Sequence, residues 1–538
     1  MIRLLCATFV LVGLPWRAEA DGVSVTDFGA VGDGVTLNTA ALHKTIDVVS
    51  QKGGGHVVFP APGTYLTGTI FIKDNVILEI PVGATLLGSQ HSSDYREDAG
   101  SCAYNEDIDL CLIYASNAKN IGLTGRGTIS GNGTPPVIIS QDGKSKQRPM
   151  LVRFEDCDGI EVNQLKVVEA FSWAFHFARC KDVRIHGLSI FNRRQDGIDL
   201  ESCEDVTISD CSIKAGDDAI VLLTNKGVPT RNVTISNCIL QSKWAGVRFG
   251  PLSSGDINNI TIANCVIRDC RGGGFKIAML GGGEIRNGTF SNITMEKVVA
   301  PILIMLMDWE EIAKKSSKTM PVGKISHLSF SHIVGTSDAY DPKLPDSSST
   351  IFLHGHPEQD LEDISLSDID LTFVGGGTVE QAAQRNLTDA DKMPHEGVWP
   401  EHRDWGVPPA SALYARHVKG LNLNRVRFTI ARPDFRSTVF LNQSSDINIA
   451  GFTTKTPSHC AAAHITLLDC QDALITGCQD NRGRACFLAL EGAKTFGVSL
   501  LGNSLAGFAS EVERGPETPE DARQWRPIRR DENGGNRK

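Results

Sequence analysis

Three aspartates stand close together in the chain, in two turns that each contain a glycine. Asp196 lies in the tripeptide QDG, and Asp217 and Asp218 form an adjacent pair in AGDD. Asp196 and Asp217 are 21 residues apart. Carboxyl groups that the fold brings together repel one another when ionised, so the pKa of at least one rises. Carboxyls with separated pKa values can serve as the acid and the base of one reaction.

A single aspartate beside a glycine is an ordinary turn residue, so the chemistry depends on an element that gathers all three. A sequence repeat predicts such an element. The motifs DGIEV, DVRI, DVTI, NVTI and NITI recur every 23 to 27 residues, and each begins an alternation of apolar and polar residues that is typical of a strand; they begin near Asp158, Asp182, Asp205, Asn232 and Asn259.

This period is too short for a propeller blade, and the repeat lacks the leucine pattern of leucine-rich repeats. Three short strands and three turns per period predict one coil of a parallel β-helix, in which neighbouring coils share one core. Equivalent positions on adjacent coils then lie about 4.8 Å apart. Asp196 and Asp217, which are about one period apart, should fall on one face with Asp218 beside them.

The next two coils bring cations toward that face. The segments KWAGVRFG and GGGFKIAMLGGG contain Lys243, Arg248 and Lys276. These side chains could bind a substrate carboxylate or orient a catalytic acid, and they could equally serve only to neutralise the aspartates. Both interpretations stay open at this point.

The periodicity predicts one all-β solenoid domain over residues 21–510. Residues 36–53 have helical spacing at Ala40, Leu42, Ile46 and Val49, which predicts a short N-terminal helix that caps the first coil. The interval from about Thr378 to Pro409 interrupts the repeat as a long loop. Residues 511–538 are charged and lack aliphatic periodicity, which predicts a disordered tail.

The first 20 residues are typical of a signal peptide. A charged start at Arg3 precedes an apolar run and an A-x-A site at Ala18–Ala20. The run is too short to span a bilayer as a helix. We therefore expect a secreted or periplasmic protein, monomeric and without a membrane partner. The formal net charge of −10 argues against nucleic acid as a partner.

The cysteines follow two regular spacings. Cys157, Cys180 and Cys203 are 23 residues apart, and a second series at 211, 238 and 265 is 27 residues apart. Equal places in successive coils predict stacks of buried free thiols. Cys460, Cys470, Cys478 and Cys486 do not follow these spacings and are the better disulfide candidates in an exported protein. The sequence contains no zinc pattern of the CxxC type.

With RQDGID and AGDD, the sequence resembles glycoside hydrolase family 28, the polygalacturonase-like enzymes. That family carries Asn-Thr-Asp-Gly, then Gly-Asp-Asp or Gln-Asp-Asp, at a similar spacing. The segments DFGAVGDGVTLNTAAL, GRGTISGNG and FSWAFHF also look like family segments. The resemblance covers most of the chain. It implies a right-handed parallel β-helix that hydrolyses galacturonate-type glycosidic bonds of a polysaccharide with inversion, and needs neither a metal nor another cofactor.

The resemblance also implies a role for each aspartate. Asp217 would be the general acid, and Asp196 and Asp218 would activate the attacking water. Where the family carries Gly-His-Gly this chain has Trp244-Ala245-Gly246, and where it carries Arg-Ile-Lys this chain has Phe275-Lys276-Ile277.

The acid and base set is therefore retained, while the set that recognises the sugar carboxylate is altered. Arg248 and Lys276, with Lys243, are the candidate substrate-binding cations. Trp244 and Trp309 are candidate sugar platforms or ordinary packing residues. Two other functions remain open: a glycan-binding β-helix protein with altered catalysis, and a polysaccharide lyase or epimerase on the same scaffold.

Overall fold

The structure is a computed structural model of the whole chain. It describes residues 22–96, 110–134, 138–139, 146–250, 253–307, 321–339, 349–385, 387, 406–457, 463–479, 486–505 and 508–523. The predicted signal peptide and Trp309 lie outside the described residues. None of the helices in the described ranges is long and apolar enough to cross a membrane.

Two long parallel sheets wind along the chain, so the predicted all-β parallel β-helix is confirmed. Within a regular coil, one strand joins the smaller sheet and the next two join the larger sheet. The 15 strands of the smaller sheet are Ile70–Phe71, Cys111–Ser116, Met150–Glu155, Phe175–Ala178, Ile198–Glu201, Ile220–Leu223, Ala245–Phe249, Gly273–Met279, Ile302–Leu306, Ile351–His354, Ala410–Arg416, Ser437–Asn442, Ile465–Leu468, Cys486–Glu491 and Ser510–Arg514.

The larger sheet forms the rest of the wall. Its 26 strands are Val23–Ser24, Asp33–Leu37, Gly55–Val58, Gly63–Thr67, Val76–Ile80, Ala84–Gly88, Lys119–Gly125, Thr128–Ser130, Asp158–Asn163, Lys166–Val168, Lys181–His186, Ser189–Asn192, Glu204–Ser209, Ser212–Ala215, Thr230–Ser236, Ile239–Ser242, Ile257–Arg268, Glu284–Val298, Lys324–Ser337, Leu361–Gly375, Val418–Asn424, Arg427–Arg432, Ser445–Ala450, Thr453–Lys455, Gln471–Thr476 and Ser499–Leu501.

The remaining elements are short. Ile138–Ile139 pairs antiparallel with Lys146–Gln147. The α-helices are Thr39–Gln51 and Val379–Ala383, and the 3-10 helices are Val25–Phe28 and Ser92–Asp94.

The core is one continuous interior that runs along the solenoid axis. The repeated apolar position of each coil forms a lateral row inside it: Ile160, Val183, Val206, Val233 and Ile260 stand opposite one another in successive coils, and all are buried. Each such side chain stabilises the fold by about 1.5–3 kcal/mol through burial. A single coil has no second layer to bury this face against, so the coils fold by stacking.

The predicted thiol stacks are present. All eleven cysteines that the structure describes are free and buried. Cys211, Cys238 and Cys265 each donate a hydrogen bond from Sγ to the carbonyl two residues earlier, at 3.2 Å in every case.

The predicted disulfide role is wrong for Cys470, Cys478 and Cys486, which are free thiols. Cys470 follows its strand of the smaller sheet as Cys203 does, and Cys478 follows its strand of the larger sheet as Cys211 does. Unequal turn lengths in the later coils hide this equivalence in the sequence. Cys460 lies outside the described residues.

A helix covers the N-terminal end of the solenoid. The helix Thr39–Gln51 buries Leu42, Ile46 and Val49 against the first coils, as the sequence predicts, whereas the fourth predicted residue, Ala40, is exposed. The coil path extends further than predicted at the other end, because Ser510–Arg514 pairs in parallel with Cys486–Glu491. Residues 524–538 of the predicted tail lie outside the described residues.

Corners of successive coils are held by a ladder of polar side chains. Asp205, Asn232, Asn259 and Asn287 all have φ between 57° and 58°. Asn232 Nδ2 donates to Asp205 Oδ1 at 2.8 Å, and Asn259 Nδ2 donates to Asn232 Oδ1 at 2.9 Å. Asparagine tolerates this left-handed backbone better than other side chains, and its amide satisfies the neighbouring corner.

We expect the Asn259→Ala substitution to lower the free energy of unfolding by about 1–3 kcal/mol, because it strains the left-handed corner and removes two lateral hydrogen bonds. Asn448→Ala is the matched control. Asn448 is also exposed and makes a lateral bond to Asn422 at 3.0 Å, but its φ is not positive. Urea denaturation would measure both variants. An equal loss in the two would contradict a corner-specific role.

Candidate active site

The three aspartates come from two stacked turns. Asp196 precedes the strand Ile198–Glu201, and Asp217 and Asp218 precede Ile220–Leu223. These strands pair with Ile198 opposite Ile220. The lateral neighbour of Asp196 is therefore Asp218, not Asp217 as the 21-residue spacing suggested.

The three carboxyl groups meet at one place. One oxygen from each of Asp196, Asp217 and Asp218 lies within 4.8 Å of the others. Asp196 and Asp218 are buried, whereas Asp217 is partly exposed. The difference in burial makes the three groups chemically unequal, and Asp217 is the one most open to a ligand.

Backbone amides of the following coil fix the two buried aspartates. The N–H of Asp218 donates to Asp196 Oδ1 at 2.8 Å, and the N–H of Ala245 donates to Asp218 Oδ1 at 2.8 Å. Arg248 Nη1 donates to Asp218 Oδ2 at 2.9 Å. Both oxygens of Asp218 thus accept a hydrogen bond, and the donor to Oδ2 is the guanidinium of Arg248.

The glycines of the two motifs are required by close approach of the backbone. A Cβ on Gly197 would stand 2.4 Å from the carbonyl oxygen of Ala219. A Cβ on Gly216 would stand 2.1 Å from the carbonyl oxygen of Arg193. Both distances are shorter than any real contact, so a side chain at either position would push the stacked turns apart.

A fourth carboxyl, Asp199, lies under the cluster and was missed by the sequence analysis. It is fully buried, and no described N–H or hydroxyl group donates to its two oxygens. Burial, together with the charges of Asp218 and Asp217, raises the pKa of Asp199 well above its usual value. Burial and the charge of Asp199 raise the pKa of Asp196 in the same way. The cluster therefore retains a proton at pH values where exposed aspartates are ionised.

The outer face of the smaller sheet forms the floor below the cluster. One residue per coil lies in a lateral row, with Val221 between Asp199 and Arg248: Arg153, His176, Asp199, Arg248 and Lys276. All five are buried or nearly so. His176 Nε2 and Glu201 Oε2 lie 3.0 Å apart beside this row. A search for outward-facing polar residues once per coil would have found the row in the sequence.

The same row becomes apolar after Lys276. Leu303, Phe352, Tyr414 and Phe440 follow in the later coils. They are buried in a second hydrophobic cluster with Leu387. The rings of Phe352 and Tyr414 stack with centroids 5.3 Å apart. The polar floor thus extends only to the coil of Lys276.

The predicted substrate-binding residues fall into two groups. Arg248 and Lys276 are lateral neighbours on the polar floor. Lys243 and Trp244 line a separate cavity of about 670 Å³, to which none of the three aspartates contributes.

Comparison with known proteins agrees with this fold and identifies the family of the chain. The sequence profile of glycosyl hydrolases family 28 matches residues 66–390, which is more than half of the chain. The chain belongs to glycosyl hydrolases family 28. A second profile, described as rhamnogalacturonase A/epimerase, pectate lyase-like, matches residues 22–91.

Two curated relatives illustrate the likeness. A probable polygalacturonase of Vitis vinifera is 29% identical over 250 residues, which cover 43% of this chain and 51% of the relative. The exo-poly-alpha-D-galacturonosidase of Dickeya chrysanthemi is 28% identical over 42% of this chain and 38% of the relative. The match to the grape protein thus spans about half of that protein's length.

Two solved structures share the fold. The family 28 exopolygalacturonase of Yersinia enterocolitica superposes with a TM-score of 0.56 at 20% identity, over 84% of this chain and 77% of that one. The polygalacturonase of Erwinia carotovora gives a TM-score of 0.50 at 19% identity, over 63% of this chain and 90% of that one.

The raised pKa of Asp199 makes stability depend on pH. The folded protein binds this proton more tightly than the unfolded chain, so the contribution of Asp199 is greatest at low pH and is lost as pH rises. We expect Asp199→Asn to be more stable than the parent by at least about 1 kcal/mol at pH 8, and to match it below about pH 4. Thermal denaturation across pH would measure the difference. The exposed Asp158→Asn is the control, and a gap that does not grow with pH would contradict this account.

Proposed function

We propose that this protein hydrolyses glycosidic bonds of a pectin-type polysaccharide that contains galacturonic acid, with inversion and without a metal ion. The observation that carries the proposal is the convergence of Asp196, Asp217 and Asp218 on one place in a family 28 chain. The names of the grape and Dickeya relatives both refer to galacturonate polymers, which supports this substrate class.

Asp217 is the best placed general acid. It is the least buried of the three aspartates, and its backbone is held by Ser242, whose hydroxyl donates to the carbonyl of Asp217 at 2.5 Å. In this position Asp217 would protonate the leaving oxygen as the glycosidic bond breaks. Such proton transfer commonly contributes about 10²- to 10⁴-fold to the rate.

Asp196 and Asp218 would orient and deprotonate the attacking water. Inverting enzymes usually separate their carboxyls by about 6.5–9.5 Å and retaining enzymes by about 5–5.5 Å. The nearest oxygens here lie within 4.8 Å, which is closer than the usual separation in either class. Inversion nevertheless fits better, because both oxygens of Asp218 accept hydrogen bonds, and a carboxylate engaged in this way is a poor nucleophile.

The floor supplies the groups for a uronate carboxylate. Arg248 and Lys276 are lateral neighbours next to Asp218, and two adjacent cations suit a carboxylate-bearing sugar. Ala245 stands where the family pattern has a histidine. We infer that Arg248 supplies part of the polar contact that this histidine would make.

The carboxyl cluster has a second chemical possibility, since three carboxylate oxygens within 4.8 Å could hold a divalent cation. The donor set favours the metal-free reaction. Asp218 N–H points at Asp196, and Ala245 N–H and the Arg248 guanidinium point at Asp218, so positive ends of dipoles and a cation already occupy the places near these oxygens.

We also propose that the protein is exported and acts as a monomer on its polysaccharide. The signal-like residues 1–20 and the extracellular occurrence of pectin-type polymers support this setting.

We expect Asp217→Asn to lower the release of reducing ends from polygalacturonate by at least about 10²-fold, because the variant cannot protonate the leaving oxygen. The assay contains EDTA, and circular dichroism checks that the fold is kept. Asp205→Asn is the matched control. The equivalent position in the next coil is already an asparagine, Asn232, so an asparagine at 205 should keep the hydrogen bond between the two corners.

Two results would contradict the assignment. Undiminished activity of Asp217→Asn would show that Asp217 is not the general acid. An unsaturated product that absorbs in the ultraviolet, formed only without EDTA, would indicate a metal-dependent lyase instead.

A further inference from the structure

The cavity that contains Lys243 and Trp244 lies outside the aspartate cluster and has its own chemistry. We call it the side pocket. Its volume is about 670 Å³. Four cationic side chains and two aromatic rings give it its character: Arg193, Lys214, Lys243, Arg271, Phe191 and Trp244.

The side pocket is built on the larger sheet, whereas the polar floor belongs to the smaller one. Phe191, Lys214 and Gln241 stand opposite one another in three successive coils and form its base. The guanidinium of Arg193 lies 5.3 Å from the centre of the Phe191 ring, and Lys214 Nζ lies 5.6 Å from it. These contacts hold two of the cations near the ring face.

The charge of the side pocket is strongly positive in an acidic protein. Throughout the described part of the chain, no carboxylate lies within ion-pair distance of the four cations. Asp269, the one acidic residue of the described lining, already accepts a hydrogen bond from Gln241 Nε2 at 3.1 Å and lies 3.6 Å from Arg268 Nη1. Among the described residues, an anionic ligand would therefore meet four cations and one carboxylate that already has partners.

Trp244 adds a sugar-binding feature. A Cβ on Gly272 would stand 3.0 Å from Cδ1 of the indole, so a glycine at this position leaves room for the ring. The backbone N–H of Trp244 donates to Ser242 Oγ at 2.7 Å, and the hydroxyl of Ser242 donates to the carbonyl of Asp217. The wall of the side pocket and the turn of the general acid are thus joined through one serine.

We propose that the side pocket is an accessory site that binds a carboxylate-bearing segment of the polysaccharide outside the aspartate cluster. The cations pair with uronate carboxylates, and the indole packs against the apolar face of a sugar. The choice of polymer rests on the proposed function. A long chain held at two places has a higher effective concentration at Asp217 than a chain held at one.

The test compares two double variants, each made in an Asp217→Asn background so that the polymer is not consumed. Lys214→Gln with Arg271→Gln removes two cations from the side pocket. Lys119→Gln with Lys166→Gln removes two exposed cations of the same sheet that do not line it. Isothermal titration with polygalacturonate at low salt should show a Kd about three- to tenfold higher for the first double variant only.

Kinetics with Asp217 intact give a second readout. We expect the Lys214 and Arg271 double variant to raise the KM for polygalacturonate by a similar factor, with kcat unchanged and hydrolysis of trigalacturonate unaltered. An unchanged Kd, or an equal rise of Kd in the control, would overturn the accessory site. If the parent binds the polymer through this pocket but hydrolyses neither substrate, the proposed function fails and the accessory site stands.

Discussion

The lateral register between coils is the constraint on which the rest of the structure depends. Strand pairing sets Ile198 opposite Ile220 and Val221 opposite Arg248, and these registers bring the groups of the site together. A shift of one residue would exchange the inner and outer faces of a strand, because side chains alternate along it. The apolar rows inside the solenoid hold the register, since such a shift would expose them. The core thus positions the carboxyl groups of the cluster.

The same register concentrates charge in a way that is costly for the fold. Asp196 and Asp199 are buried beside two more carboxyls, and their raised pKa values express the cost of ionising them there. The two backbone N–H groups and Arg248 that point at the cluster offset part of this cost. Buried, coupled carboxyls of this kind are typical of sites that move protons.

The sequence was sufficient for the architecture and for the presence of the carboxyl cluster. The repeat, the thiol stacks and the capping helix all depend on local periodicity, which the chain displays openly. The pairing of Asp196 with Asp218 was not predictable from the period, because coils of different length share one register. Asp199 was missed because it looks like an ordinary polar residue in an alternating strand.

Other differences have the same origin in turn lengths that a period cannot give. Lys243 and Trp244 directly follow the strand Ile239–Ser242 of the larger sheet and line the side pocket there. Arg248 lies on the next strand, which belongs to the smaller sheet, and is part of the polar floor. Cys470 and Cys478 looked irregular although they occupy repeated places. The strand Ser510–Arg514 was hidden in a charged segment with little aliphatic character.

The order in which the product anomers appear would test the account most directly, because the close carboxyls and the family pattern favour different outcomes. Proton NMR of the first turnovers on an α-linked galacturonate oligomer would follow the anomeric signals before mutarotation. A water held by Asp196 and Asp218 attacks from the face opposite the leaving group, so the β-anomer should form first. Initial formation of the α-anomer would show a covalent intermediate and contradict the roles assigned to these aspartates.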